Sequence, residues 1–224
     1  MTTLVAEIGT HHMGDMVLGR KLIALAKENG ADMAKFQLFD TEKLTHWPTP
    51  AIKAEAKRCE LTCEQAMILF RYGEEIGIEV FFSVFDPIRV DWCEKIGVRT
   101  YKIAANMRDP ATLEAVKCSG KEVIMSSGRS DDDALNMASY NLYCPTGYPQ
   151  SQYHMPDFSN WWGLSDHTIG LDAAKIAIVK GASIIEKHFA LGHQTGMDAP
   201  WSMTPAELKE LRRWADLVQS FKQD

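Results

Sequence analysis

Eight short runs rich in β-branched and aromatic residues recur along this chain of 224 residues, most of them separated by amphipathic helical segments. The runs fall at 3–9, 32–39, 79–85, 99–105, 122–128, 141–146, 161–167 and 183–191. Between them, 17–30, 62–77 and 170–181 carry apolar residues at helical spacing. Several such segments end in glycine just before the next strand, a helix stop. Eight alternations in one chain of this length predict an α/β fold, a (β/α)8 TIM barrel forming a single domain over 1–224. The fifth and sixth units are the weakest: "DDDALNMASY" allows only a short helix, and "YPQSQYHMPDFSN" reads as a loop. "THWPTP", 45–50, marks an exposed excursion after strand two. An open doubly wound sheet lacks support, because no strand is followed by G-x-G-x-x-G or by a Walker-type loop.

The net charge of −6 argues against a nucleic-acid partner, since phosphate binding wants a basic surface. No apolar run reaches membrane-spanning length, and "MTTLVAEIGTHH" lacks the basic region and apolar core of a signal peptide. The five cysteines are odd in number and scattered, which suits packing or surface thiols in a reducing cytoplasm.

In a barrel of this kind the active site lies at the C-terminal mouth. Polar residues gather at the predicted strand ends: Glu7, with His11 and His12 beyond it; Lys35 and Gln37; Ser83 and Asp86; Lys102; Ser126 and Ser127; Thr146 and Tyr148; Ser165, Asp166 and His167; Glu186 and His188, with Asp198 in the loop beyond. Singly, a strand lysine is more often a snorkelling residue and a strand-end serine a turn former. Their convergence on one mouth is what points to a site. Lys35 and Lys102, with Ser83, Ser126 and Ser165, suit a dianionic phosphate or phosphorylated carboxylate. His167 and His188, from adjacent strands, suit a divalent metal with open positions for water or substrate. Glu7 and Asp198 are then free to hold hydroxyls or move protons.

The last run, "SIIEKHFAL", buries three ionisable residues in an apolar strand. Alternation turns Glu186 and His188 to one side, toward the mouth. Lys187 is expected to point outward and form an ion pair in the helical layer.

"AEIGTHHMGD", "AKFQLF", "FFSVFD", "YKIAA", "IMSSG", "GLSDHTIG", "IIEKHFAL" and "GMDAP" occur in this order along most of the chain. In this the chain resembles the sialic acid synthases and related nonulosonic acid synthases. The resemblance implies a (β/α)8 barrel that joins phosphoenolpyruvate to an amino sugar such as N-acetylmannosamine, with Mn2+ or Mg2+, releasing phosphate. It implies His167 and His188 as metal ligands, and Lys35, Ser83, Lys102, Ser126 and Ser165 around phosphoenolpyruvate. Glu7, Gln37, Tyr148 and Asp198 would face the sugar, and Glu186 would orient water or move a proton. Barrels of this family commonly pair, so a homodimer is a further expectation.

The chain also departs from the pattern. Where the family reads K-I-A-S-G-E, this chain has Lys102-Ile103-Ala104-Ala105-Asn106-Met107, so Ala105 and Met107 replace a hydroxyl and a carboxylate. The family's N-H-N-G is His11-His12-Met13-Gly14 here, and Thr146 stands where an amide is often found. The loop after strand six is short, and the sequence read ends without the family's C-terminal antifreeze-like domain. These changes keep two other readings in view: a synthase for another acceptor, such as a phosphorylated pentose, and an impaired relative that binds a sugar or metal in regulation or assembly.

Overall fold

All eight β-rich runs form strands, and each is followed by the kind of connection its sequence dictates. The computed structural model of the chain describes residues 1–44, 47–145, 147, 149–150 and 155–221. The strands are β1 (Thr3–Gly9), β2 (Met33–Leu38), β3 (Glu79–Val84), β4 (Thr100–Ile103), β5 (Glu122–Ser127), β6 (Tyr140–Tyr143), β7 (Gly163–Asp166) and β8 (Ile184–His188). They pair in sequence order, all parallel, and β8 closes onto β1. The helices are α1 (Met16–Glu28), α2 (Pro50–Arg58), α3 (Cys63–Ile76), α4 (Pro87–Ile96), α5 (Pro110–Cys118), α6 (Asp172–Val179) and α7 (Pro205–Ser220). This is the predicted barrel, with one local difference after β2, and with the weak fifth and sixth units as expected.

The segment after β2 holds a helix, α2, where the sequence suggested only an excursion. Thr49 accepts a hydrogen bond from Ile52 N–H and Pro50 takes the first turn, so the start signal was present. The unit after β5 is a single 3-10 segment, Asp133–Met137, and no helix lies among the described residues between β6 and β7. Elsewhere the helix starts, except that of α6 at Leu171, are capped by side chains as their sequences require. Thr62 and Thr204 form capping boxes with Gln65 and Glu207, and Asp15, Asp86 and Asp109 cap α1, α4 and α5.

Strand alternation sorts the side chains into two cores. Outward residues such as Leu4, Ala6, Phe36, Phe82, Tyr101, Met125 and Ile185 pack under the helices. Inward residues Val5, Phe81, Ile124, Leu142 and Ile184 form a separate apolar plug inside the barrel. At Gly163 a Cβ would sit 1.9 Å from the Ile184 carbonyl oxygen, so only glycine allows β7 to approach β8 this closely. The next inward residue along most strands is polar. Glu7, Lys35, Ser83, Lys102, Ser126, Ser165 and Glu186 therefore form a charged layer resting on the plug. Register aligns that layer: Glu7 pairs with Lys35 and His188, Gln37 with Ser83, Ser83 with Lys102, and Ser165 with Glu186.

Candidate active site

A cavity of about 280 Å³ opens above this layer at the C-terminal ends of the strands. Glu7, Lys35, Gln37, Ser83, Lys102, Ser126, Ser165, His167, Glu186, His188 and Asp198 all border it. Tyr148 and Thr146 lie outside the described residues.

Charge on the floor is tightly paired. Lys35 Nζ lies 3.3 Å from Glu7 Oε2 and 3.0 Å from Glu186 Oε2. Lys102 Nζ lies 3.7 Å from Glu186 Oε1 and donates to Ser126 Oγ at 2.7 Å and to the Ile103 carbonyl at 3.0 Å. Ser165 donates to Glu186 Oε1 at 2.9 Å, and Gln37 Nε2 donates to Glu7 Oε1 at 2.7 Å. Two ammonium groups thus face two carboxylates, all four buried at the floor of the cavity.

Their acidities separate accordingly. Burial, reinforced by the charge of Glu186, raises Glu7 to about 7 against the pull of Lys35. Burial acts on Glu186 in the same sense, but Lys102, Lys35 and the Ser165 hydroxyl outweigh it and hold Glu186 at about 2. Burial lowers Lys102 to about 8, opposed by Glu186. Lys35 is raised, because Glu186 and Glu7 together outweigh its burial. One carboxylate is therefore held ionised while its neighbour is poised to exchange a proton near neutrality, the separation expected where proton transfer is performed.

On the far wall His167 and His188 end adjacent strands, their rings 5.4 Å apart. Burial, then their mutual charge or that of His11, lowers the pKa of both; His167 falls to about 3. Both rings are neutral at pH 7, the state that ligates a metal. The Nδ1 of His188 is buried with no hydrogen-bond partner among the described residues, 3.7 Å from Asp198 Oδ2. His11, His188 and Asp198 each bring one donor atom within 4.8 Å of the others'. These nitrogen and carboxylate donors fit a divalent cation.

Four polar residues expected at the mouth have their side chains engaged in the frame, although Asp166 still borders the cavity. Asp166 faces outward, since it alternates with Ser165 and His167, and its Oδ2 lies 3.0 Å from Lys187 Nζ. Lys187 also donates to the Thr168 carbonyl at 2.6 Å, so the outward ion pair expected of it is present and fully buried. Asp86 caps α4 and pairs with Arg89 at 2.9 Å. Ser127 donates to Asp132 at 2.8 Å. His12, next to His11, is buried against Phe36 and accepts from Gly14 N–H.

Other groups at the mouth were not predicted. Phe39, Trp47 and Phe85 build an apolar wall, with Phe39 ring centroids 6.5 and 6.3 Å from the other two. Trp47 lies in the "THWPTP" excursion, the one signal that pointed there. Cys144 borders the cavity with its Sγ 3.9 Å from His167 Nδ1. Of the departures noted in the sequence, Ala105 lines the cavity, whereas Met107 is buried in the outer core.

A closed parallel barrel with paired lysines and carboxylates, split in acidity, at its C-terminal mouth defines an enzyme of the (β/α)8 class. A family model described as the NeuB family matches residues 22–223, and the chain belongs to that family. It is similar to the N-acetylneuraminate-9-phosphate synthase of Homo sapiens, 30% identical over 252 residues, covering 96% of this chain and 70% of that one. The N,N'-diacetyllegionaminic acid synthase of Legionella pneumophila is 30% identical over 251 residues, covering 93% and 69%. The crystal structure of an N-acetylneuraminic acid synthetase from Leptospira borgpetersenii, in complex with citrate, superposes with a TM-score of 0.91 at 25% identity, covering 100% of this chain and 85% of that one. The chain is accordingly a transferase of the carbon–carbon bond-forming kind.

Proposed function

We propose that the chain condenses phosphoenolpyruvate with an open-chain aldose of the N-acetylmannosamine type, giving a 2-keto-3-deoxy sugar acid of the sialic or nonulosonic kind and inorganic phosphate. The observation that carries this reading is the pair of buried ammonium groups, Lys35 and Lys102, on the cavity floor beside serine hydroxyls. Such a set suits a small, multiply charged anion that carries both a phosphate and a carboxylate.

On this reading Lys35, Lys102, Ser83, Ser126 and Ser165 hold phosphoenolpyruvate, while Gln37, Tyr148 and Asp198 face the sugar. The methylene carbon of phosphoenolpyruvate bonds to the aldehyde carbon, and the aldehyde oxygen takes up a proton. Water adds to the cationic carbon left behind and loses a proton. The tetrahedral centre then collapses to a ketone as its carbon–oxygen bond to phosphate breaks. Glu7, raised to about 7 by burial and Glu186, serves as the group that gives and takes a proton. Glu186, held ionised, fixes both lysines and orients the added water. Lys102 stabilises the charge on the departing phosphate. His167 and His188 would hold Mn2+ or Mg2+, which supplies Lewis acidity to polarise the aldehyde oxygen.

Free small-molecule substrates and five cysteines that form no disulfide suit the cytoplasm, and no described helix is long and apolar enough to cross a membrane. Ala105 on the cavity wall, where the family pattern the chain resembles has a hydroxyl, favours a second reading in which the acceptor differs from N-acetylmannosamine. The test is phosphate release from phosphoenolpyruvate with Mn2+ across a panel of amino sugars and phosphorylated pentoses. Release with at least one aldose supports the reaction. Binding of sugar and metal without release from any aldose would instead favour an impaired, regulatory relative.

A further inference from the structure

His11 has no part in the reaction above, yet it is buried beside the ring that the reaction needs. Its ring meets that of His188 edge-on, with centroids 6.2 Å apart and planes at 88°. His11 is 4% exposed and His188 5%.

Ser202 selects the tautomer of His11. Its Oγ lies 2.8 Å from the Asp198 carbonyl oxygen and 3.0 Å from His11 Nε2. A hydroxyl has one proton, and a carbonyl can only accept. Ser202 therefore gives its proton to the Asp198 carbonyl and accepts the Nε2 proton of His11. That leaves the lone pair on Nδ1, which is buried and meets no partner with good hydrogen-bond geometry among the described residues, the Thr195 backbone being the neighbour that would favour a proton there. An acceptor holding the outer ring nitrogen is how ligating histidines are fixed in metal sites.

The surroundings of Nδ1 match. Gly196 follows at φ +107, and a Cβ there would come within 2.6 Å of Nδ1, so the glycine keeps that face of the ring open. His188 Nδ1 is likewise buried without a partner, and Asp198 Oδ2 stands 3.7 Å from it. We propose that His11 and Asp198 join His188 in a three-donor divalent-cation site, both being protein ligands beyond the His167–His188 pair, with Asp198 a cation ligand rather than only a sugar contact. The inference rests on His188 being a cation ligand in the reaction proposed above. His11 stands where the family motif reads asparagine, so this donor distinguishes the chain from that pattern. Two imidazoles and one carboxylate favour a first-row transition metal over Mg2+, which prefers oxygen donors and water.

The test is Mn2+ binding to the metal-free full chain without substrates, followed by the electron paramagnetic resonance of free Mn2+. His11→Asn is expected to weaken binding at least tenfold and to remove one set of 14N couplings from the bound ion's electron spin echo envelope. Ser202→Ala, which frees the tautomer, is expected to weaken binding by a smaller factor. Thermal melting of both metal-free variants serves as the control for folding. Wild-type affinity and unchanged nitrogen couplings in His11→Asn would overturn the site. So would 15N spectra of the metal-free wild type with the His11 proton on Nδ1, directed at the backbone of Thr195, the other group besides Asp198 that favours protonation of this ring. Absence of phosphate release in a protein that binds Mn2+ through His11 would count against the reaction alone.

Discussion

Lys35 Nζ lies 3.0 Å from Glu186 Oε2, and both side chains are buried on the barrel floor, where they border the cavity. The pair comes from strands far apart in sequence and joined by β1 between them. Its consequence is the split between the two carboxylates: Glu186 is held ionised, and the unfavourable charge is passed to Glu7.

That split sets a pH profile. Proton exchange at Glu7 turns on as pH passes about 7, and the ammonium of Lys102 is lost above about 8. kcat/KM for phosphoenolpyruvate is expected to describe a narrow bell between these values, since it reports groups of the free enzyme. Glu7→Gln should remove the acid limb and most of the activity; an unchanged acid limb would show that another group sets it.

Stability follows pH differently. His11, His12, His167 and His188 all have folded pKa values below the unfolded 6.5, chiefly through burial. The unfolded chain binds more protons below 6.5, so stability is lost as pH falls from 7 toward 4. Glu7 works in the opposite sense: raised from 4.5, it favours the fold at low pH and loses that contribution as pH rises through about 7. Urea midpoints of the metal-free protein should therefore drop between pH 7 and 5, and drop further in Glu7→Gln, which lacks the opposing group.

Lys102→Ala is expected to raise KM for phosphoenolpyruvate by roughly tenfold to a hundredfold, as a charge-assisted contact worth about 1.5–3 kcal/mol is lost. The acceptor KM should change little. A selective loss of acceptor affinity in steady-state kinetics would contradict the assignment of Lys102.

Asp166→Asn leaves Lys187 buried without its counter-charge. A loss of about 3–5 kcal/mol in urea unfolding is expected. The double change Asp166→Leu with Lys187→Met should recover most of it, because both charges leave together. A single variant as stable as the wild type would mean that Lys187 finds sufficient compensation in the Thr168 carbonyl.

His188→Ala should abolish phosphate release in Mn2+, and a chelator should do the same to the wild type, reversibly on adding Mn2+ back. His167→Ala tests the second ring of the pair. Activity that persists in either variant would remove that ring from the cation's ligands.

Much of the site was legible because strand geometry is local. A period of two places Lys35 beside Gln37, and Glu186 beside His188, on one face whatever the rest of the chain does. The same period turns the Asp166 side chain outward to Lys187, although the residue still borders the cavity. Asp86 was misplaced because a carboxylate before a proline-led helix is equally a cap, and only the Arg89 contact shows which. The apolar wall of Phe39, Trp47 and Phe85 was not legible, since it depends on how a loop folds over the barrel.

Alternation of strand and helix, read residue by residue, determined that this chain closes into a barrel and which side chains point inward. Closure itself decided who meets whom. Lys35 reaches both Glu7 and Glu186 only because β8 returns to β1, and His11 meets His188 and Asp198 only because two irregular loops converge there. Periodicity encodes direction within one element; distance between elements, and with it the pKa of every buried group at this mouth, exists only once the chain has folded.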